Sequence, residues 1–402
     1  MLTSTAASTK SESPAKTGKQ LMGRISVLIP DAEAENSKRV ALCLTESGRV
    51  TLHGLCRRKT APLRTSSLFA TFDCSTEEIE IDSWLGRLDD IVARQQIDVV
   101  LPTSDFGIRA LSEHGHLLAC ADRLVQLPEP DAFDLATNKA ALANFLALHD
   151  IPRPPTVLVT AGLKLPEDCA ALGFPVLAKP PLSAGGRGIQ RCETMADLDG
   201  FIAGRPEGET WVVQELIEGH DVCVNALCQN GEIIASTAQH AIDQSPSSYR
   251  PPTDFEFKCD PSATDVAGRL IEALSWSGIA NIDMRFDAKR NTAVVLEING
   301  RYWASMLGSM NAGVNFPLLA CEALSGSIAS NRRPRDGRYF RGKSNMLRSL
   351  MGGGEHRIRP SETDLRYFVR DPLRLAWHLV RKVAEPVRNR LFRQYSPVRG
   401  PR

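Results

Sequence analysis

Apolar residues along this chain come first in short runs and later in alternation. Arg24-Ile-Ser-Val-Leu-Ile-Pro30 is an apolar run closed by proline, which predicts a buried strand. Arg49-Val-Thr-Leu-His-Gly-Leu55 predicts a second strand, Ile81 to Arg94 a helix, and Asp98-Val-Val-Leu-Pro102 another buried strand. Strands alternating with helices indicate a parallel sheet. No G-x-G-x-x-G follows the first strand, so no dinucleotide site is assigned there. Thr137-Asn138 can cap a helix running to about Asp150, with Leu142, Phe145 and Leu146 on its apolar stripe; Ile151-Pro-Arg-Pro-Pro155 ends it.

Beyond that point the pattern changes to hairpins. Val222 to Cys228 and Ile233 to His240 flank Gln229-Asn230-Gly231-Glu232, a strong turn signal. A second hairpin spans Asn281 to Asn299 around Asp287-Ala-Lys-Arg-Asn291. There are no internal repeats.

Composition narrows the class. With 402 residues, 43% hydrophobic and 24% charged, the chain reads as an ordinary soluble globular protein of two or three sub-structures. A formal net charge of +1 argues against nucleic acid as a partner. The charge is unevenly spread: residues 331–402 hold 19 Lys/Arg against 6 Asp/Glu. The 10 cysteines, among them Cys43, Cys56, Cys120, Cys223, Cys259 and Cys321, form no C-x-x-C or Cys/His zinc pattern. They read as reduced thiols in a cytoplasmic protein. No apolar run approaches the ~18–20 residues of a membrane span, and residues 1–20 lack the apolar core of a secretory signal, so a flexible leader is expected.

The second hairpin carries the candidate chemistry. Side chains alternate faces along a strand, so Glu297 and Asn299 share a face, as do Asn281, Asp283 and Arg285. With the turn centred near position 290, Asp283 lies opposite Glu297. Like charges so placed repel, and a cation between them relieves that. Oxygen donors from Asp, Glu and Asn suit Mg²⁺ carrying nucleotide phosphates; a solvent-facing polar strip in a slipped register is the alternative. Gly300-Arg301 follows directly, and Arg301 can present its planar fork to the same phosphates or be an ordinary surface arginine. Upstream, Pro175-Val-Leu-Ala-Lys179 predicts a strand ending in a lysine, leading into Leu182-Ser-Ala-Gly-Gly-Arg-Gly-Ile189. Backbone N–H groups at Gly185 and Gly186, with Ser183 and Arg187, can close on an anion. The spacing is not that of a Walker A loop, and many such stretches are plain turns. In Trp211 to Asp221, the segment Glu215-Leu216-Ile217 can offer backbone groups to a base and Asp221 can accept from ribose; a plain acidic turn is the other reading.

The order Asn138-Lys139, Ala178-Lys179, Gly185-Gly-Arg-Gly188, Gln214-Glu-Leu-Ile-Glu-Gly219, Leu296-Glu-Ile-Asn-Gly-Arg301 resembles the ATP-grasp superfamily, and most of all the branch near carbamoyl-phosphate synthetase and the carboxylate–amine ligases. The resemblance covers roughly residues 99–326. It implies α/β plus α+β architecture: a leader (1–20), a Rossmann-like pre-ATP-grasp domain (21–125), a two-subdomain ATP-grasp fold (126–330) and a basic extension (331–402). It further implies that Lys139 and Lys179 touch ATP phosphates under the Gly185–Gly186 loop. Glu215, Leu216 and Ile217 would meet adenine, and Asp221 the ribose. Asp283, Glu297 and Asn299 would hold Mg²⁺, with Mn²⁺ as an alternative, and Arg301 would steady the transferring phosphoryl group. Two departures stand out: Gly300 replaces the usual proline, which would loosen that turn, and Asp283 occupies a variable position. Tyr302-Trp303-Ala-Ser305 and Ala312 to Pro317 match no branch of defined substrate.

The activity expected is Mg-ATP-dependent activation of a small-molecule carboxylate as an acyl phosphate and its joining to an amine. Phosphorylation of a small acid such as bicarbonate, or ATP binding without turnover, are the alternatives. In the basic tail, Asp371 to Arg393 places Leu373, Ala376, Val380, Val383, Val387 and Leu391 at helical spacing. Such a helix can rest on an anionic membrane or pack against the body or a second subunit; oligomeric state and substrates stay open.

Overall fold

Three β-sheets organise this computed structural model, which describes residues 23–57, 61–74, 80–183, 185–242, 252–326, 334–351 and 357–368. The leader and the amphipathic stretch 371–393 lie outside these residues.

The first sheet has the order β3-β2-β1-β4, with every pairing parallel. Its strands are β1 (Ile25–Ile29), β2 (Val50–Cys56), β3 (Phe69–Cys74) and β4 (Val99–Val100). The run Ile25 to Ile29 is apolar throughout because both faces of β1 are covered. Ile25, Val27 and Ile29 pack with Val40 and Leu44 of the helix Ser37–Glu46, while Leu28 packs with Trp84, Leu88 and Ile91 of the helix Ile81–Gln95. The strand expected over Asp98 to Pro102 shrinks to two residues, since the chain turns at Pro102 into Thr103-Ser104. β3 has no counterpart in the sequence reading. It is an edge strand with no buried residue, so it carries neither a clean run nor a clean alternation.

Asn138 caps the helix Lys139–Leu148 as expected, its side chain accepting from the N–H groups of Ala140 and Ala141. A separate helix, Pro130–Thr137, precedes it. The second sheet, order β5-β8-β6-β7, is antiparallel and built from Thr156–Thr160, Val176–Lys179, Gln190–Cys192 and Thr210–Glu215 (β5 to β8).

The third sheet, order β13-β12-β9-β10-β11-β14, is antiparallel throughout. It comprises Gly219–Gln229 (β9), Glu232–Ala241 (β10), Asp254–Phe257 (β11), Gly278–Asp287 (β12), Thr292–Asn299 (β13) and Gly337–Phe340 (β14). Asn230 and Gly231 both take positive φ, 50° and 84°, the conformation a two-residue hairpin turn needs. One face of this sheet is apolar: Val222, Val224, Ile282, Met284 and Ile298 pack on Val266, Leu270 and Ile271 of the helix Pro261–Ala273. The polar residues of the same strands therefore fall on the other face. Tyr302, Trp303 and Phe316, beyond β13, share a core with Ile25 and Val27, so the parallel sheet abuts the end of this polar face.

Candidate functional site

The ladder between β12 and β13 pairs Asp283 with Glu297 and Asn281 with Asn299. It then slips by one: Met284 faces Val295, and Leu296 is the extra residue of a bulge. A bulge breaks strict alternation and re-aims a side chain, and such features gather beside functional sites. Here it lets Met284 and Val295 keep to the core while Glu297 and Asn299 stay on the polar face. Asn299 Nδ2 lies 3.4 Å from Asp283 Oδ2 and 3.4 Å from Asn281 Oδ1.

The two carboxylates differ in proton affinity. Desolvation, and then the charge of Glu297, push Asp283 up to about 8. Glu297 is desolvated as well, which alone would raise it, but Lys139 and Lys179 hold it below the ordinary carboxylate value. Lys139 Nζ sits 3.1 Å from Glu297 Oε2 and donates to the Ser183 carbonyl at 2.6 Å. One lysine thus ties the glycine-rich loop to the acidic pair. Its own backbone N–H reaches Pro181 O at 3.0 Å, securing the base of that loop. Gly185, Gly186 and Gly188 all take positive φ (66°, 74° and 77°), so the loop's path requires glycine. Lys179, at the end of β6, is buried and donates to Gln214 Oε1 at 2.6 Å. Burial lowers it to about 8, with Glu297 pulling the other way.

The remaining expected residues come from several elements. Asp221 is held by Arg285, opposite it in the β9–β12 ladder. Arg285 also donates to Ile217 O (2.7 Å) and Gly219 O (2.8 Å). Glu215 donates its N–H to Pro155 O and pairs through its side chain with Arg290 at 2.8 Å. Leu216 follows β8 directly and is half-buried. Arg187 is exposed on the loop. Arg301 donates to Asp105 Oδ2 at 3.0 Å and approaches Asn299 Oδ1 at 3.4 Å. It therefore links Asn299 to the helix Asp105–His114 of the parallel-sheet unit.

Gly300, which stands where proline is usual, sits where no side chain fits. A Cβ there would lie 2.9 Å from both the Phe133 and Trp276 rings, so close ring packing is what demands glycine. A buried polar network, not expected from the sequence, runs beneath this site. Asn281 Nδ2 donates to Cys223 Sγ and Asn225 Oδ1, both at 2.8 Å; Asn225 Nδ2 reaches Gln239 Oε1 at 3.2 Å, which accepts from Ser305 Oγ at 2.8 Å. The period-two sequence Asp221-Val-Cys-Val-Asn-Ala was the available signal, since it sets polar side chains on the face of Asp283.

Among the described residues no three His, Cys, Asp or Glu side chains cluster as a metal site. The donors present are two carboxylates and an amide, a set that fits Mg²⁺ sharing its shell with phosphates and water and does not fit a zinc cage. Nor is any described helix long and apolar enough to cross a membrane.

Comparison with known proteins bears on the fold. Residues 207–341 match the family model described as ATP-grasp in the biosynthetic pathway with Ter operon. The carbamoyl phosphate synthase large chain of Thermomicrobium roseum is 26% identical over 195 residues, covering 46% of this chain and 18% of its own length. This chain thus spans about a fifth of the length of that relative. Among solved structures, the ADP complex of N5-carboxyaminoimidazole ribonucleotide synthetase superposes with TM-score 0.64 at 13% identity, covering 86% of this chain and 91% of the other. An L-amino acid ligase from Bacillus licheniformis does so with TM-score 0.57 at 13% identity, covering 79% of each. The fold is the ATP-grasp fold. The resemblance of the sequence to the carboxylate–amine ligase and carbamoyl-phosphate synthetase branch of that superfamily holds alongside it.

Proposed function

We propose that this chain is a Mg-ATP-dependent ligase that activates a carboxylate as its acyl phosphate and joins it to an amine. The observation carrying this reading is the facing pair Asp283–Glu297, flanked by Asn299, with Lys139 bridging it to the glycine-rich loop. Asp283, Glu297 and Asn299 would hold Mg²⁺, which when bound supplies positive charge to the phosphate oxygens. Lys139 and Lys179 would bind phosphates, the backbone of Glu215 to Ile217 the base, and Asp221 the ribose. Arg301, on the far side of Asn299, would steady the phosphoryl group in flight and orient the acceptor carboxylate. Closure of the loop at Gly185–Gly186 would keep water from the acyl phosphate. The chain needs no nucleophilic side chain, because the substrate carboxylate attacks and the amine displaces phosphate.

A coupled assay of ADP release, run against pools of carboxylates with and without amines and followed by mass spectrometry of the active pool, tests the reading. ADP release that needs both substrates and yields a conjugate supports it. No ADP release with any pool would sink it. The match to carbamoyl phosphate synthase, whose name describes a phosphorylated small acid, favours a second reading, phosphorylation of an acid such as bicarbonate. That reading expects ADP release with no amine required.

A further inference from the structure

Away from the nucleotide face, residues within 335–338 and 357–367 line two adjoining hollows that open to solvent. The first, about 420 Å³, is lined by Arg338, Arg357, Arg359 and Pro360. The second, about 490 Å³, shares Arg338 and Arg359 and adds Arg335 and Arg366, with Glu46, Asp336 and Glu362 as its carboxylates. Ion pairing absorbs part of this charge. Arg366 pairs with Glu46 at 2.6 Å, and Arg338 makes a long contact of 3.4 Å with Glu362. Among the described residues, Arg335, Arg357 and Arg359 are within ion-pair distance of no carboxylate. Among the described residues, the first hollow is therefore lined by three arginines, Arg338, Arg357 and Arg359, and by no acidic residue.

Like charges gathered on one concave surface repel, and a bound polyanion relieves that repulsion. Guanidinium groups match phosphoryl oxygens two at a time. The volume lies within the roughly 300–1,000 Å³ range of small-molecule sites. We propose that this cavity is a binding site for a compact polyanion bearing two or more phosphoryl groups, separate from the nucleotide site. The second cavity is walled by Gly308, Met310 and Asn311 of the helix Met306–Asn311, which follows Arg301 and Ser305 in the chain. A ligand there abuts an element joined directly to the candidate active site. The inference does not depend on the ligase reading.

The test is calorimetric titration of the full chain with inorganic pyrophosphate in magnesium-free buffer. Arg357 and Arg359 are exposed, so the double variant Arg357→Ala/Arg359→Ala keeps the fold, which circular dichroism checks. Loss of two charge-assisted contacts is expected to weaken binding by at least about tenfold. Lys179→Met, in the nucleotide site, is expected to leave that binding within about twofold, the two sites sharing no partner. Pyrophosphate binding that survives the double arginine variant, or that disappears in Lys179→Met, overturns the proposal. So does a titration with no heat of binding at millimolar pyrophosphate. If vesicles containing phosphatidylserine capture the wild type but not the arginine variant, while pyrophosphate does not bind, the cluster reads a membrane surface and the proposal fails.

Discussion

Asp283 and Glu297 stand opposite each other across the β12–β13 ladder, two carboxylates on one face of the sheet, and Lys139 closes on Glu297 alone. Among the described residues Asp283 has no cationic partner of that kind, and desolvation together with Glu297 raises it to about 8. The pair is thus under electrostatic strain that a divalent ion would relieve. Asp283→Asn should raise the melting temperature in metal-free buffer at neutral pH, because a carboxyl whose pKa is raised on folding costs stability at every pH above its ordinary value, and the amide carries no such cost. The same variant should lose the further stabilisation that MgATP gives the wild type. Thermal denaturation with and without MgATP checks both signs; a variant less stable than wild type without metal would contradict the strain.

Glu297→Ala removes a proposed metal ligand and leaves Lys139 unpaired, while the core on the opposite face is untouched. Turnover should fall by on the order of 10²–10³ with the fold retained. ADP release and far-ultraviolet circular dichroism, measured on one preparation, check this. ADP release comparable to wild type would remove Glu297 from the site.

Lys179 gives a pH signature. Burial lowers it to about 8, so its positive charge is complete below that pH and is lost as pH rises through it. The ratio kcat/KM for ATP reports the free enzyme, so it should decline above about pH 8. An arginine stays charged across this range, so Lys179→Arg should flatten the decline even if its absolute rate is lower. A wild-type profile level to pH 9.5 would mean that Lys179 does not meet the nucleotide.

Asp31 anchors the loop that presents Asp105 to Arg301. It is buried and accepts from Thr103 N–H and Oγ1 and from Ser104 N–H and Oγ. A Cβ on Gly107 would lie 2.3 Å from Asp31 Oδ2. Glycine to alanine inside a helix ordinarily gains about 1 kcal/mol, but Gly107→Ala should instead destabilise, because the hydrogen-bonded carboxylate cannot step aside. Combining it with Asp31→Ala should remove most of that penalty, a non-additivity that urea denaturation of both single variants and the double would measure. Additive losses would mean the clash is relieved elsewhere.

Gly300 should tolerate no side chain. Its packing against Phe133 and Trp276 makes Gly300→Ala an overpacking change of about 1–3 kcal/mol, read as a lower urea midpoint. A neutral substitution would show that the rings move freely.

The elements legible in the sequence were those set by local signals. Asn230-Gly231 fixed a hairpin because its residues accept positive φ, and Asn138 fixed a helix start because its side chain bonds the first free N–H groups. The opposition of Asp283 and Glu297 followed from counting outward from a turn. What local signals could not reach was set by distant partners. The bulge at Leu296 depends on how β12 packs on the helix Pro261–Ala273. β3 and β14 lie far in sequence from any local signal that marks them as edge strands, and the Arg301–Asp105 pair joins residues 196 apart. The buried chain Asn281–Asn225–Gln239–Ser305 crosses three strands and a helix, so only the register could assemble it.

The most direct test is titration of Mn²⁺ with a non-hydrolysable ATP analogue, followed by electron paramagnetic resonance, in wild type and Glu297→Gln. Protein-bound Mn²⁺–nucleotide should form in the wild type, and its affinity should drop by about tenfold or more when that charged ligand is neutralised. Equal affinity and an unchanged Mn²⁺ spectrum in the two proteins would contradict this.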